Sequence, residues 1–298
     1  MEKVQIEEIK QSVFPLGLGS MIFAPRLKRM AFELLDAFVE RGGNLIDTAE
    51  IYGVPEQFGL AEITIGRWLS ARPGQREKII IVTKGCIPGT CAPIHDGRPS
   101  EISPAGVHRA IEGSLERLQV DYIDLWMFHR DDPTVPVEDL VDALNEEIER
   151  GKINTFAASN WTAERIAAAN AYAEDNGLKG FVASSIQFSL ARANEPYWPG
   201  AVHATPEELE WYAQEKFPLF AWSALARGFF SGRVDPDDQP YDPAINPDLF
   251  RTYYSEENFE RLRRARELGA KKGLSAAEIA LAYLVNQSFP VVPQEEVA

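Results

Sequence analysis

NLIDTAEIYG, residues 44–53, opens as a short, mainly apolar run and closes on a turn. Gly42-Gly43 precedes it, the usual way for a chain to leave a helix end and enter a buried strand. At its exit the run delivers Asp47 and, five residues on, Tyr52, before Gly53 turns the chain away. A carboxylate and a phenol just past the end of a core strand add little to packing and are well placed for proton chemistry. A helix-capping aspartate and a hydrogen-bonded core tyrosine would explain the same two residues, so the pair needs company before it carries meaning.

The pattern of that stretch recurs along the chain. Apolar runs at residues 14–19, 44–49, 79–84, 123–129, 155–159, 181–188, 218–223 and 289–293 read as strands. Amphipathic patterns at 28–41, 58–70, 103–118, 137–150, 162–174, 205–216, 256–272 and 275–287 read as helices, with Pro104 in a first turn and Thr162 as a cap. Residues 4–9 and 12–14 predict a small hairpin ahead of the first strand. Eight strands alternating with helices imply parallel βαβ units, either a closed barrel or an open doubly wound sheet. Gly17-Leu18-Gly19 lacks the third glycine and the following helix start of a dinucleotide fingerprint, so the barrel is preferred. The expectation is a single α/β domain over residues 1–298, a (β/α)₈ TIM barrel. The sequence stops five residues after the eighth run, which predicts a barrel C-terminally truncated after its eighth strand, without an eighth helix. Residues 85–102, 190–204 and 228–255 read as long loops on the face where the strands end.

Composition narrows the function. With 298 residues, 45% hydrophobic and 25% charged, the chain has an ordinary globular composition. No window approaches 18 uncharged apolar residues, and the acids of MEKVQIEEIK stand where a signal peptide would be apolar. Cys86 and Cys91 are the two cysteines, so the expected compartment is a reducing cytoplasm. A net charge of −15 argues against nucleic-acid and membrane partners, while an anionic cofactor needs only a local positive site. Cys86, Cys91 and His95 invite a metal, but a fourth ligand at zinc spacing is missing and none is expected.

The barrel rule brings strand ends together on one face, which adds Lys84 and His129 to Asp47 and Tyr52. The chemistry that needs these four types is proton donation by a phenol. Free tyrosine titrates near ~10, and making its phenolate more accessible by about two units takes roughly 2.7 kcal/mol. An ammonium about 4 Å away contributes roughly 4 kcal/mol at an effective dielectric near 20. Burial would push that lysine towards neutrality, so it needs a counter-ion, and Asp47 fits. His129 can donate a hydrogen bond to a substrate oxygen.

At this point the sequence resembles the aldo-keto reductase superfamily. The matching pieces are IDTAEIYG (46–53), VTKG (82–85), FHRDDP (128–133), ASNW (158–161), IQFSL (186–190) and AWSALARG (221–228), in family order and spacing. The resemblance implies reversible carbonyl reduction in a (β/α)₈ barrel with NADP(H) or NAD(H) and a small-molecule carbonyl substrate. It makes Tyr52 the general acid, Lys84 and Asp47 the residues that tune it, and His129 the group that orients the carbonyl. It implies that Ser159, Asn160 and Gln187 hold the nicotinamide carboxamide, that Trp222 stacks under the ring, and that Ser223, Leu225 and Arg227 meet the pyrophosphate. Tyr197, Trp198 and Trp161 are expected to line a hydrophobic substrate pocket.

Two departures stand out. The text after the tyrosine is YGVPEQFGLAE rather than the family's YGxGxSE, and the chain ends at PVVPQEEVA, where the family continues into an adenosine-binding loop and helix. The second departure implies weak cofactor binding with little preference between NADPH and NADH, unless Arg192 or Arg233 supplies a phosphate contact. It also suggests a homo-oligomer that covers the bare flank. The competing function is a cofactor-binding regulatory or scaffold subunit, like the potassium-channel β subunits of this fold.

Overall fold

Eight short strands pair in sequence order and close on themselves: β1 (Gly17–Gly19), β2 (Leu45–Asp47), β3 (Ile80–Gly85), β4 (Ile123–Phe128), β5 (Ile153–Ser159), β6 (Ser184–Gln187), β7 (Leu219–Trp222) and β8 (Val291–Glu295). All neighbours are parallel, and β8 returns to β1 through the pairs Gly17 with Gln294 and Leu18 with Glu295. This computed structural model describes residues 3–53, 58–87, 101–237 and 246–295. Strands β1 to β6 are each followed by one helix: α1 (Lys28–Glu40), α2 (Leu60–Ser70), α3 (Pro104–Leu118), α4 (Val137–Glu149), α5 (Ala163–Asn176) and α6 (Pro206–Glu215). Between β7 and β8 run α7 (Pro247–Tyr253), α8 (Glu256–Lys272) and α9 (Ala276–Val285). Among the described residues no helix is long and apolar enough to cross a membrane.

Sequence-local chemistry sets the helix starts. The hydroxyls of Ser103, Thr162, Thr205 and Ser255 accept from the backbone N–H three residues on, and Ser275 and Glu278 form a reciprocal capping box. Each such cap is worth ~1 kcal/mol. Pro104 and Pro206 sit in first turns, where their missing N–H costs nothing.

Strand alternation sorts the rest into two layers. Leu45, Ile80, Val82, Leu125, Met127, Ala157, Phe220 and Val292 form one buried cluster inside the barrel. Ile46, Ile81, Trp126, Phe128, Phe156 and Ala158, one position out of step, pack against the helices instead. Ile6, Ile9 and Val13 belong to the inner cluster, and an antiparallel Val4–Val13 bridge joins the two arms that carry them. The predicted hairpin therefore exists and plugs the bottom of the barrel. Two residues further along β2, β3, β4, β5 and β8, the inward parity passes from apolar to polar at Asp47, Lys84, His129, Ser159 and Gln294, and the register partners Gln187 and Trp222 of β6 and β7 stand beside Gln294. The fold thus lays a chemical layer on top of an apolar one.

Three expectations change. The run at 289–293 forms strand only from Val291, extending to Glu295, because Phe289 is spent in an outer cluster where it stacks on Tyr212 at 5.6 Å. The run at 181–188 is regular strand only over Ser184–Gln187, and Phe181 ahead of it packs with Phe156 and Trp161 in the helix layer. Residues 228–255 are not all loop. They share the 3-10 turn Ala226–Ser231 and hold α7, whose Asn246 cap and Pro247 are a start signal that was present in the sequence.

Gly66 lies where α2 crosses the end of α3, and a Cβ there would sit 2.6 Å from the Arg117 carbonyl oxygen and 2.7 Å from that of Leu118. Backbone cannot rotate away as a side chain can. Gly66→Ala should therefore lower the unfolding free energy by ~1–3 kcal/mol despite alanine's better helix propensity. Urea denaturation of the two proteins checks this, and an equal or more stable variant would show that the helices can separate freely.

Candidate active site

The quoted stretch explains how a phenol returns over the barrel mouth. Past β2 the ladder to β3 continues through Thr48 N–H to the Val82 carbonyl at 2.8 Å and Glu50 N–H to the Lys84 carbonyl at 2.9 Å. A turn closed by Tyr52 N–H on the Ala49 carbonyl, at 3.1 Å, then folds the chain back. Ala49, Ile51 and Ile87 form a small buried cluster, and the Tyr52 ring packs against it.

Lys84 projects from β3 into this space. Its Nζ donates to both Asp47 carboxylate oxygens at 2.6 Å, to the Thr48 carbonyl at 3.0 Å and to the Tyr52 hydroxyl at 3.4 Å. Both charged side chains are 4% exposed. Burial pushes the Asp47 carboxyl above its ordinary value, while the Lys84 ammonium and, more weakly, the Gln294 amide pull it back. An ammonium bonded to a carboxylate, a carbonyl and a phenol has its donors spent on one constellation.

His129 follows β4, its N–H held by the Gly85 carbonyl at 2.9 Å. Its ring meets the Tyr52 ring edge-on, with centroids 5.9 Å apart. Burial, then the charges of Arg130 and Lys84, push its pKa well below the usual imidazole range. The ring is neutral at neutral pH and acts as a hydrogen-bonding group, not as a cation. Its Nδ1 has no protein partner.

The residues assigned to the carboxamide lie on the next two strands, with their capacity partly used. Asn160, at φ 59, donates both amide hydrogens within the protein, to the His129 carbonyl at 3.1 Å and the Ser159 hydroxyl at 2.9 Å. Its Oδ1 accepts from Val202 N–H at 3.2 Å, which leaves one lone pair. Ser159 keeps its own proton to give. Gln187 donates to the Tyr253 hydroxyl at 2.7 Å and accepts from Tyr197 N–H at 3.0 Å, leaving one donor and one acceptor site free. Gln187 and Trp222 are register partners on β6 and β7, so the amide and the indole stand side by side. A partly exposed ring beside spare donors and acceptors fits a flat heteroaromatic amide such as nicotinamide.

After β7, Ser223, Ala226, Arg227 and Gly228 all have left-handed backbone, in a tight turn closed by Ala226 N–H on the Ser223 carbonyl and Gly228 N–H on the Leu225 carbonyl. The Arg227 guanidinium lies 5.2 Å above the Tyr197 ring and 5.5 Å above that of Trp198. An exposed cation on such a turn suits a phosphate group.

Other expectations fare differently. Trp161 is fully buried, stacked on Phe128 at 5.3 Å with its Nε1 donating to the Arg130 carbonyl, so it is core and not a pocket wall. Arg192 is paired with Glu257 at 3.4 Å. Cys86 is buried, whereas Cys91 and His95 lie outside the described residues. Among the described residues no group of three His, Cys, Asp or Glu could hold a metal ion. Sequence reasoning missed Tyr253, which meets Gln187 from an unrecognised helix, and Gln294, whose inward position needed the true register of β8.

Comparison with known proteins bears on the family and the fold. The sequence model described as "Aldo/keto reductase family" matches residues 15–295. The chain is 31% identical to Protein tas of Escherichia coli over 97% of its own length and 87% of the relative's. It is 37% identical to aryl-alcohol dehydrogenase GME11368 of Pestalotiopsis microspora, over 94% of this chain and 70% of that one. Among solved structures, the glycerol dehydrogenase AKR11B4 of Gluconobacter oxydans superposes with a TM-score of 0.74 at 23% identity, covering 99% of this chain and 86% of that one. At that identity the match speaks for the fold.

The depressed pKa of His129 has a thermodynamic sign. Unfolded histidine titrates near ~6.5 and binds protons that the folded ring refuses, so its share of stability is complete above that pH and is lost as pH falls below it. His129→Gln should make the fall in unfolding free energy between pH 7 and pH 5 shallower by roughly 1 kcal/mol, a value discounted for the ring's partial exposure at the mouth. Denaturant titrations at the two pH values measure it. An unchanged slope would mean that His129 is not held neutral.

Proposed function

The chain belongs to the aldo/keto reductase family, and from that premise we propose that it reduces an aldehyde or ketone to an alcohol with a nicotinamide cofactor, Tyr52 serving as general acid. The observation that carries this reading is the position of Lys84 Nζ, bonded to Asp47 at 2.6 Å and to the Tyr52 hydroxyl at 3.4 Å. The bound cofactor, NADPH or NADH, supplies the hydride. Ser159, Asn160 and Gln187 would hold its carboxamide, Trp222 its ring, and Ser223, Leu225 and Arg227 its pyrophosphate.

The protein's part is proton supply. Tyr52 gives its hydroxyl proton to the carbonyl oxygen as negative charge develops there, and Lys84 stabilises the phenolate left behind. At 3.4 Å and an effective dielectric near 20, an ammonium is worth roughly 5 kcal/mol to that phenolate. The Asp47 carboxylate cancels part of this, but lowering a phenol by about two units takes only roughly 2.7 kcal/mol. Neutral His129 donates to the same carbonyl oxygen without contesting the proton. The constellation supports an enzyme over a scaffold, because a protein that only binds nucleotide has no use for a phenol tuned by a buried ion pair.

Tyr52→Phe should cut turnover with an aromatic aldehyde by ~10²–10⁴-fold while cofactor affinity stays within about twofold. Lys84→Met should move the alkaline limb of the rate profile to higher pH, because the phenolate loses its cation and the phenol becomes a weaker acid. Steady-state oxidation of NADPH and NADH, followed against pH, measures both effects. Near-normal turnover in the phenylalanine variant would reject Tyr52 as the acid.

A further inference from the structure

Residues 190–204, between β6 and α6, touch four of the groups assigned to the cofactor. Val202 N–H binds Asn160, Tyr197 N–H binds Gln187, Trp198 packs on Trp222, and both aromatic rings lie under Arg227. The segment is fastened at both ends. Arg251 donates to the Tyr197 carbonyl at 2.8 Å, and at the far end Gln187 N–H binds the Val202 carbonyl while Ala204 N–H binds that of Gln187. The Trp198 and Trp222 rings lie 5.4 Å apart and 31° from parallel.

The barrel places Trp198 relative to Tyr52. Trp198 packs against the cluster that holds Tyr197, Phe229, Tyr253 and Leu262, which stands over β6 and β7. Tyr52 packs with Ala49, Ile51 and Ile87 at β2 and β3, which lie diametrically across an eight-strand ring. Trp198 and Trp222 share the cluster over β6 and β7, across the mouth from Tyr52, and the two rings pack on each other there.

We propose that Trp198 is a positioning residue: it fixes the tilt of the Trp222 indole on which the nicotinamide ring rests, and so sets that ring's binding. The inference rests on the nicotinamide reading above. A packing partner acting only on stability would affect every ligand alike, whereas a residue that acts through Trp222 weakens ligands carrying the nicotinamide most. Trp222 is the residue that touches the cofactor, and Trp198 works through it. Arg227 lies over Tyr197 as well as over Trp198, so changing Trp198 removes only one of its two ring contacts and the phosphate side should be largely spared.

The experiment compares Trp198→Leu, which keeps apolar bulk without a flat ring, with Trp198→Phe, which keeps a ring. NADPH, NADH and ADP-ribose are each titrated against wild type and both variants by intrinsic fluorescence and calorimetry. For the reduced nucleotide that wild type binds, Trp198→Leu should raise Kd by about fivefold and Trp198→Phe by less than about twofold, in line with the value of an aromatic stack. ADP-ribose, which lacks the nicotinamide, should change by less than about twofold in both. In a Trp222→Leu background Trp198→Leu should add no further weakening, since the surface it tilts is gone. Unchanged or tighter binding in Trp198→Leu, equal loss of ADP-ribose, or full additivity with Trp222→Leu would each overturn the proposal. A wild type that binds neither reduced nucleotide would reject the nicotinamide reading itself, an outcome visible without any variant.

Discussion

A lysine ammonium buried beside a carboxylate is the constraint from which the rest of this site follows. Lys84 and Asp47 are each 4% exposed at the side chain, and neither charge is tolerable there without the other. Their strands bring them together because β2 and β3 are neighbours in register, Asp47 opposite Val82 and Lys84 two residues further on. The pair adds little to stability beyond cancelling its own desolvation. What it supplies is a fixed positive charge beside a phenol, in a place water does not screen. His129 is held in the neutral form by burial first, then by Arg130 and by that same lysine charge.

The fold and the identity of this pair were legible in the sequence because they depend on patterns of single residues. Apolar runs ending in Asp47, Lys84 and His129 announce both strands and site, since inward parity carries each side chain to the mouth. The cap residues Ser103, Thr162 and Thr205 likewise fix helix starts through hydrogen bonds three residues away, which a one-dimensional reading can see. The resemblance then named roles for later strand ends that spacing alone would have left as polar residues.

What escaped the sequence depends on partners far along the chain. An apolar run records burial, not pairing, so Phe289 and Phe181 looked like strand although they pack outside the barrel. Trp161 looked like a pocket wall because it follows ASN at a strand end, yet it lies flat on Phe128, one strand back. Nothing local told that Asn160 spends both amide hydrogens on His129 and Ser159, or that Tyr253 reaches Gln187 across 66 residues. Hydrogen-bond capacity is a property of the assembled mouth.

That capacity also explains how the two halves of the site are coupled. The Asn160 amide joins the carbonyl of His129 to the Ser159 hydroxyl, on the proposed reading the proton-donating and cofactor sides, and its Oδ1 anchors Val202 of the segment carrying Tyr197 and Trp198. Its left-handed backbone, at φ 59, is unusual for a residue with a side chain, and asparagine is among the few that accept it without a large cost. One asparagine with both amide hydrogens engaged therefore ties His129 to the segment that carries Tyr197 and Trp198. Acid and hydride must act on the same carbonyl at the same moment, so their supports cannot drift independently. On the proposed reading, the hydrogen bonds of Asn160 give those supports a direct physical link.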